Sequence, residues 1–278
     1  AAILAALKVQ QDTPGGMLLL VPSDHAVANS AAFRKAVMAG AASAEEGNIV
    51  TFGIKATRPE TGFGWLQSGA QTHDGVMKLE RFIEKPDAAR AVELLADPKY
   101  LWNAGVFLAR ADVLIDAFRT HAPDILAGVE AAMAGAVSDL DFTRLDETAW
   151  AGVPEESIDY AVMEKATNVS VVSFDEQWSD LGSWESVWQE STKDKNGNAR
   201  SENTTVFDCE NTLLRSESSE IELVGIGLKN VVAVAMRDAV MVADLSESQN
   251  VKKAVETLKK RGAKQAVQLP VDHRPWGW

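Results

Sequence analysis

At 278 residues, 46% hydrophobic and 24% charged, the chain is long enough to bury a large core and to add an accessory unit to one main domain. A formal net charge of −13, with no block of lysines and arginines, argues against a nucleic-acid footprint. The single cysteine, Cys209, excludes an intrachain disulfide and a cysteine-rich zinc site and fits a reducing cytoplasm; no apolar run approaches the roughly 20 residues of a membrane span.

In chain order, residues 1–8 have the period of an amphipathic helix. An α/β domain rarely opens on a helix, so a first strand is expected ahead of Ala1. Residues 17–21 (MLLLV) read as a parallel strand buried on both faces, which puts Asp24 at the carboxyl end where open α/β sheets bind ligands. Asp24 equally suits a turn or a cap. A helix over 30–42 and a strand over 48–54 (NIVTFGI) follow, then a loop over 58–65 with Gly62 and Gly64. The two glycines either make a turn or let backbone approach a ligand.

A third strand, 76–83, runs into Glu84-Lys85-Pro86. Neighbouring strand residues point to opposite faces, so Glu84 and Lys85 reach one ligand only if the chain bends before Pro86; otherwise they are a surface pair. A helix over 88–95 leads to the apolar strand 100–108, which carries Asn103. A buried amide needs partners, either backbone or a ligand. Helices are predicted at 113–118, 125–133 and 159–165, with a buried strand at 169–174. Asp180 precedes Gly182-Ser183, where Ser183 caps a helix over 184–190. Two aspartates meeting at one sheet edge would suit Mg²⁺, which takes one or two carboxylates plus substrate phosphates.

The turn-rich stretch 193–198 (KDKNGN) marks a domain boundary near residue 198. Beyond it, short β runs at 204–207, 212–215, 221–224, 231–235 and 240–243 suggest a small β solenoid, closed by a helix over 246–261 with Gly262 at its end. The domains are thus 1–198, 199–262 and a tail over 263–278.

Taken together, VPSDH (21–25), TRPETGFGW (57–65), RFIEKPD (81–87), YLWNAGVF (100–107), SIDYAVMEK (157–165), WSDLGSW (178–184) and NVKKAVE (250–256) resemble the sugar-nucleotide pyrophosphorylases, specifically the bacterial mannose-1-phosphate guanylyltransferases. The resemblance covers essentially the whole chain. It implies an α/β fold: a Rossmann-like, GT-A-like nucleotidyltransferase core with a mixed sheet, then a small left-handed β-helix-like segment. It implies transfer of a guanylyl group from GTP to mannose 1-phosphate, giving GDP-mannose and pyrophosphate for polysaccharide biosynthesis in the cytoplasm. By position in these motifs, Asp24 and Asp180 would hold Mg²⁺ and Lys85 would meet the sugar phosphate. Glu84 and Asn103 would meet the mannose hydroxyls, and Gly64 and Gly105 would complete the substrate site. Asp159 and Glu164 fall in a family string without an assigned role.

Two departures matter. The family's first strand and triphosphate-cradling Gly-rich loop have no match here and are expected ahead of Ala1, so these residues alone should not turn over. His273–Trp278 resembles the opening of the phosphomannose isomerase domain of bifunctional members. Eight tryptophans and an accessory β unit are compatible with a homodimer. The competing readings are a nucleotide-sugar-dependent glycosyltransferase, which typically uses a short Asp-x-Asp not found at a matching strand end, and a non-catalytic sugar-phosphate-binding paralogue.

Overall fold

The structure is a computed structural model and describes residues 1–140 and 142–268. The chain divides into two compact units, one ending at Trp178 and the other beginning at Ser179. In order, the first holds α1 (Ala2–Asp12), β1 (Met17–Leu20), β2 (Ala26–Val27), α2 (Ser30–Glu45), β3 (Ile49–Lys55), β4 (Gly64–His73) and β5 (Val76–Glu84). It continues with α3 (Ala88–Leu95), β6 (Tyr100–Arg110), α4 (Ala111–His121) and α5 (Pro123–Ala134). A small hairpin, β7 (Val137–Asp139) and β8 (Phe142–Arg144), leads to α6 (Glu147–Ala151), a π-helical turn over Asp159–Met163, and β9 (Val169–Ser173). Local chemistry sets several starts: Asn29 caps α2 and Asp87 caps α3, each side chain accepting a first-turn N–H, and Pro123 opens α5.

Six strands form one sheet in the order β1-β6-β3-β9-β5-β4, with β4 also pairing β6. Only β3 and β9 run parallel; the other pairings are antiparallel, so the sheet is mixed. Alternation along β3 explains the layering. Val50, Phe52 and Ile54 pack with Ala44 of α2 and Leu94 of α3, whereas Ile49 faces Leu114, Phe118 and Ile125 of α4 and α5, with Ile3 of α1.

The structure corrects four expectations in this unit. Strand β1 is antiparallel to β6, and among the described residues it pairs with nothing else. It is also not buried on both faces: Leu18 is 7% exposed but Met17 and Leu19 are each 37% exposed, as suits an edge strand. Gly64 and Trp65 begin β4 instead of closing a loop, because Trp65 is needed in the core, where it is fully buried against Trp102. The helix expected over 159–165 is a five-residue π-turn.

The second unit holds α7 (Trp184–Glu190), after the two-residue β10 (Trp178–Ser179) at the boundary, and then six short strands. They are β11 (Ala199–Arg200), β12 (Thr204–Phe207), β13 (Leu213–Ser216), β14 (Leu223–Ile226), β15 (Val231–Ala235) and β16 (Val240–Asp244). β11, β13 and β15 stack in parallel, as do β12 and β14, giving a β-helix-like coil; β16 reverses onto β15. The corners turn at Asp208, Asn211 and Asn230, all left-handed. Asn198 ties two coils, donating to the Cys209 carbonyl and accepting from Thr212 N–H.

The compact units divide between Trp178 and Ser179, ahead of the turn-rich stretch 193–198. Trp184, Val187 and Trp188 of α7 pack on Leu213, Val232 and Leu245, which belong to the β unit. The closing helix comes in two parts, a 3₁₀ segment Leu245–Asn250 and then α8 (Val251–Lys260), with Gly262 left-handed after it. Of the expected tail, a 3₁₀ turn covers Lys264–Ala266, and residues 269–278 lie outside the described residues.

Gly53 lies opposite Asn103 in the β3–β6 ladder. A Cβ there would come within 2.5 Å of Leu101 Cδ1 and 3.0 Å of both Leu101 Cβ and Val171 Cγ2. Gly53→Ala should therefore destabilise the first unit by about 1–3 kcal/mol. Urea unfolding measures this, and an unchanged midpoint would show that the sheet does not need the close approach.

Candidate functional site

Strand β5 ends at Glu84 with the chain bent in the way both side chains require. Lys85 takes a left-handed conformation, φ 45°, before Pro86. The Lys85 ammonium then reaches back to the Glu84 carboxylate, 2.8 Å away. The two differ in exposure: the Glu84 side chain is 6% exposed and that of Lys85 52%. Glu84 pairs in register with Gly64 at the start of β4. A Cβ on Gly64 would stand 2.6 Å from Glu84 Oε2 and 3.2 Å from Asn103 Cβ, so only glycine lets these three share the space.

Asn103 sits on an interruption of β6. Thr51 pairs with Phe107 and Gly53 with Asn103, so Ala104–Val106 bulge out against the single Phe52. Gly105, φ 67°, supplies the left-handed turn and donates its N–H to Asn103 Oδ1 at 3.1 Å. Asn103 Oδ1 also accepts from Thr51 Oγ1 at 2.8 Å, and Asn103 Nδ2 donates to Asp159 Oδ1 at 3.1 Å. Glu164, at the other end of the π-turn, accepts the Glu84 backbone N–H at 3.0 Å. The turn thus brings Asp159 and Glu164 together with Glu84, Lys85 and Asn103. Tyr160 lies beneath the ammonium, with Lys85 Nζ 6.0 Å from its ring centroid.

The loop that carries Asp24 flanks the bulge. A Cβ on Gly105 would meet His25 Cε1 and Pro22 Cγ, each at 3.8 Å. His25 packs edge-on against Trp178, and Phe63 against both Trp178 and Trp102, forming an aromatic wall. Asp24 itself is exposed. Asp180 belongs to the second unit, where its Oδ1 accepts the Gly182 N–H at 3.0 Å before the Ser183 cap of α7. Gly64, Glu84, Lys85, Asn103 and Gly105 therefore converge within the first unit. Among the described residues no three His, Cys, Asp or Glu side chains gather as a metal cage. A cavity of about 220 Å³ in the second unit is lined by Leu181, Trp184, Ser248 and Lys252. It holds one cation and no carboxylate, so the charged cluster of the first unit is the better candidate.

Electrostatics single out the same cluster. Burial pushes the Glu84 carboxyl above its ordinary value; the Lys85 hydrogen bond pulls it back, and the negative Asp159 and Glu164 push it up again. Burial likewise raises Asp159, opposed by its hydrogen bonds and by the Lys85 charge. The hydrogen bond to Glu84 holds the Lys85 ammonium above its usual value.

Residues 1–197 match the family described as nucleotidyl transferase. The chain belongs to that family. It is 43% identical over 277 residues to the xanthan biosynthesis protein XanB of Xanthomonas campestris, covering all of this chain and 58% of that protein. It is 38% identical to a mannose-1-phosphate guanylyltransferase of Klebsiella pneumoniae, covering 59% of its length. The crystal structure of mannose-1-phosphate geranyltransferase from Thermus thermophilus superposes with a TM-score of 0.78 at 30% identity, covering 92% of this chain and 74% of that one. The chain thus spans under three fifths of the curated relatives it matches.

Sequence reasoning missed Thr51 and left Asp159 and Glu164 without a place. The available signal for Thr51 was a lone hydroxyl in the otherwise apolar NIVTFGI.

The raised carboxyls fix a sign. Folded Glu84 and Asp159 keep their protons to higher pH than the unfolded chain does, so stability falls as pH rises through the window above about 4. Asp159→Asn keeps an acceptor for Asn103 but cannot ionise. It should hold or raise stability at neutral pH and flatten the pH dependence of urea unfolding. A variant destabilised at neutral pH with the wild-type slope would mean that Asp159 is not held under strain.

Proposed function

We propose that the chain carries the sugar-phosphate half of a nucleotidyl transfer in which mannose 1-phosphate attacks GTP, giving GDP-mannose and pyrophosphate for polysaccharide biosynthesis in the cytoplasm. The observation that carries this reading is the Glu84–Lys85 pair on one strand end, sharing space with Gly64 and Asn103. Lys85 offers a half-exposed cation for a phosphate. Glu84, buried, offers acceptors for hydroxyls, and the Asn103 amide offers a donor. The names of the relatives, guanylyltransferase and xanthan biosynthesis protein among them, support the same reading.

In this scheme the sugar-phosphate oxygen attacks the α-phosphorus in line and pyrophosphate leaves. Two anions must meet, so the residues position them and offset charge instead of forming a covalent bond. Mg²⁺ belongs to the reading: a carboxylate such as that of Asp24, exposed in the first unit, or that of Asp180, whose Oδ1 accepts the Gly182 N–H in the second, is the kind of oxygen donor such an ion would take alongside substrate phosphates. When bound, the ion would offset phosphate charge in a protein with a formal net charge of −13. No helix among the described residues is long and apolar enough to cross a membrane.

Calorimetric titration with mannose 1-phosphate tests the proposal. Lys85→Ala should weaken binding by roughly tenfold, the size of a lost charged hydrogen bond, and Lys85→Arg should restore part of it. Wild-type protein that binds neither mannose 1-phosphate nor inorganic phosphate would overturn the assignment.

A further inference from the structure

Thr51 is fully buried in a strand whose neighbours are Ile49, Val50, Phe52 and Ile54, and valine would fill the same volume. A buried hydroxyl is costly unless it is bonded. Its partners lie at the two ends of one feature: Asn103 Oδ1 at 2.8 Å and the Val106 carbonyl at 3.3 Å. These residues bracket the bulge that Gly105 turns, and both accept from the one hydroxyl proton, so Thr51 ties β3 to the bulge through a shared bond whose shorter arm is on Asn103. No ladder bond of the sheet requires it.

The clamp decides what Asn103 can offer. A primary amide has two lone pairs on oxygen and two N–H donors. Both lone pairs are taken, by Thr51 and by Gly105 N–H, and one donor goes to Asp159. Gly105 N–H can only donate and an ionised Asp159 can only accept, so these two fix which end of the amide is which. Thr51 is the partner from the neighbouring strand. Asn103 is left with one N–H and no accepting capacity, next to a Glu84 carboxylate that can only accept when ionised. A ligand hydroxyl thus meets a donor on one side and an acceptor on the other, an arrangement that discriminates between hydroxyl orientations.

We infer that Thr51 is a positioning residue for sugar recognition, acting through the clamped Asn103 amide; this rests on the sugar-phosphate reading of the site. Calorimetric titration of wild type, Thr51→Val and Thr51→Ser with mannose 1-phosphate, glucose 1-phosphate and inorganic phosphate tests it. Thr51→Val should lose about five- to tenfold in affinity for mannose 1-phosphate, narrow its preference over glucose 1-phosphate and leave inorganic phosphate unchanged. Thr51→Ser, which keeps the hydroxyl, should stay within about twofold of wild type. Equal losses for the sugar phosphate and for phosphate would mark a general structural role and overturn the inference, as would a Thr51→Val variant indistinguishable from wild type. Wild type that binds inorganic phosphate but no sugar phosphate would overturn the reading of the site itself. Should Thr51→Val not fold, the side-chain amide protons of Asn103 in the wild type decide: slow hydrogen exchange supports the clamp, and exchange as fast as an exposed amide overturns it.

Discussion

A primary amide in the middle of an apolar strand must be satisfied by the protein around it, and much of the first unit follows from that demand at Asn103. The strand breaks its ladder to turn Gly105 back onto the amide oxygen, and β3 supplies a hydroxyl where its pattern calls for a methyl. A π-turn then brings a carboxylate to the amide nitrogen. π-turns and bulges are irregularities that proteins place beside functional sites, where regular geometry cannot aim a side chain. Here both serve the same residue from opposite sides. The π-turn is itself anchored in the core by Ala161, Val162 and Met163, all buried, so the position of Asp159 is fixed by packing.

A second constraint is charge. The chain is strongly acidic, and the cluster deepens that acidity by holding Glu84 and Asp159 beside one lysine, with Glu164 against Glu84. Burial makes ionisation of the first two unfavourable, and Lys85 only partly offsets it. Such an arrangement costs stability. The half-exposed ammonium is the complementary element: it is paired to Glu84 through one of its three donors and stays reachable from solvent.

The two units differ in how they are built, and that difference bears on what each can do. The mixed sheet of the first is covered by helices on both faces, which leaves its strand ends and bulge as the place for chemistry. The second is a coil of short parallel rungs, each resting on the one before, closed by α7 on its apolar side. Asparagines at its corners take left-handed conformations that a β-branched residue would resist.

Sequence by itself determined the α/β class and many of the longer elements, since helix and strand periods are local: α3, β12 and β15 begin and end where the pattern places them. It also marked Glu84, Lys85 and Asn103, because a charge or an amide at or in an apolar run stands out, while Gly64 and Gly105 entered the site through the family resemblance. What it could not determine depends on distant partners. The antiparallel edge position of β1 is set by pairing with β6, and the strand role of Gly64 by the burial of Trp65. The bend at Lys85 that puts ammonium and carboxylate on one side is a backbone choice with no residue signature. Asp159 and Thr51 lie far from Asn103 in sequence, and hydrogen bonding across a sheet is invisible to any local window. Only the tertiary structure, by bringing β3, β6 and the π-turn together, decided that a lone threonine and an unassigned aspartate belong to the same site.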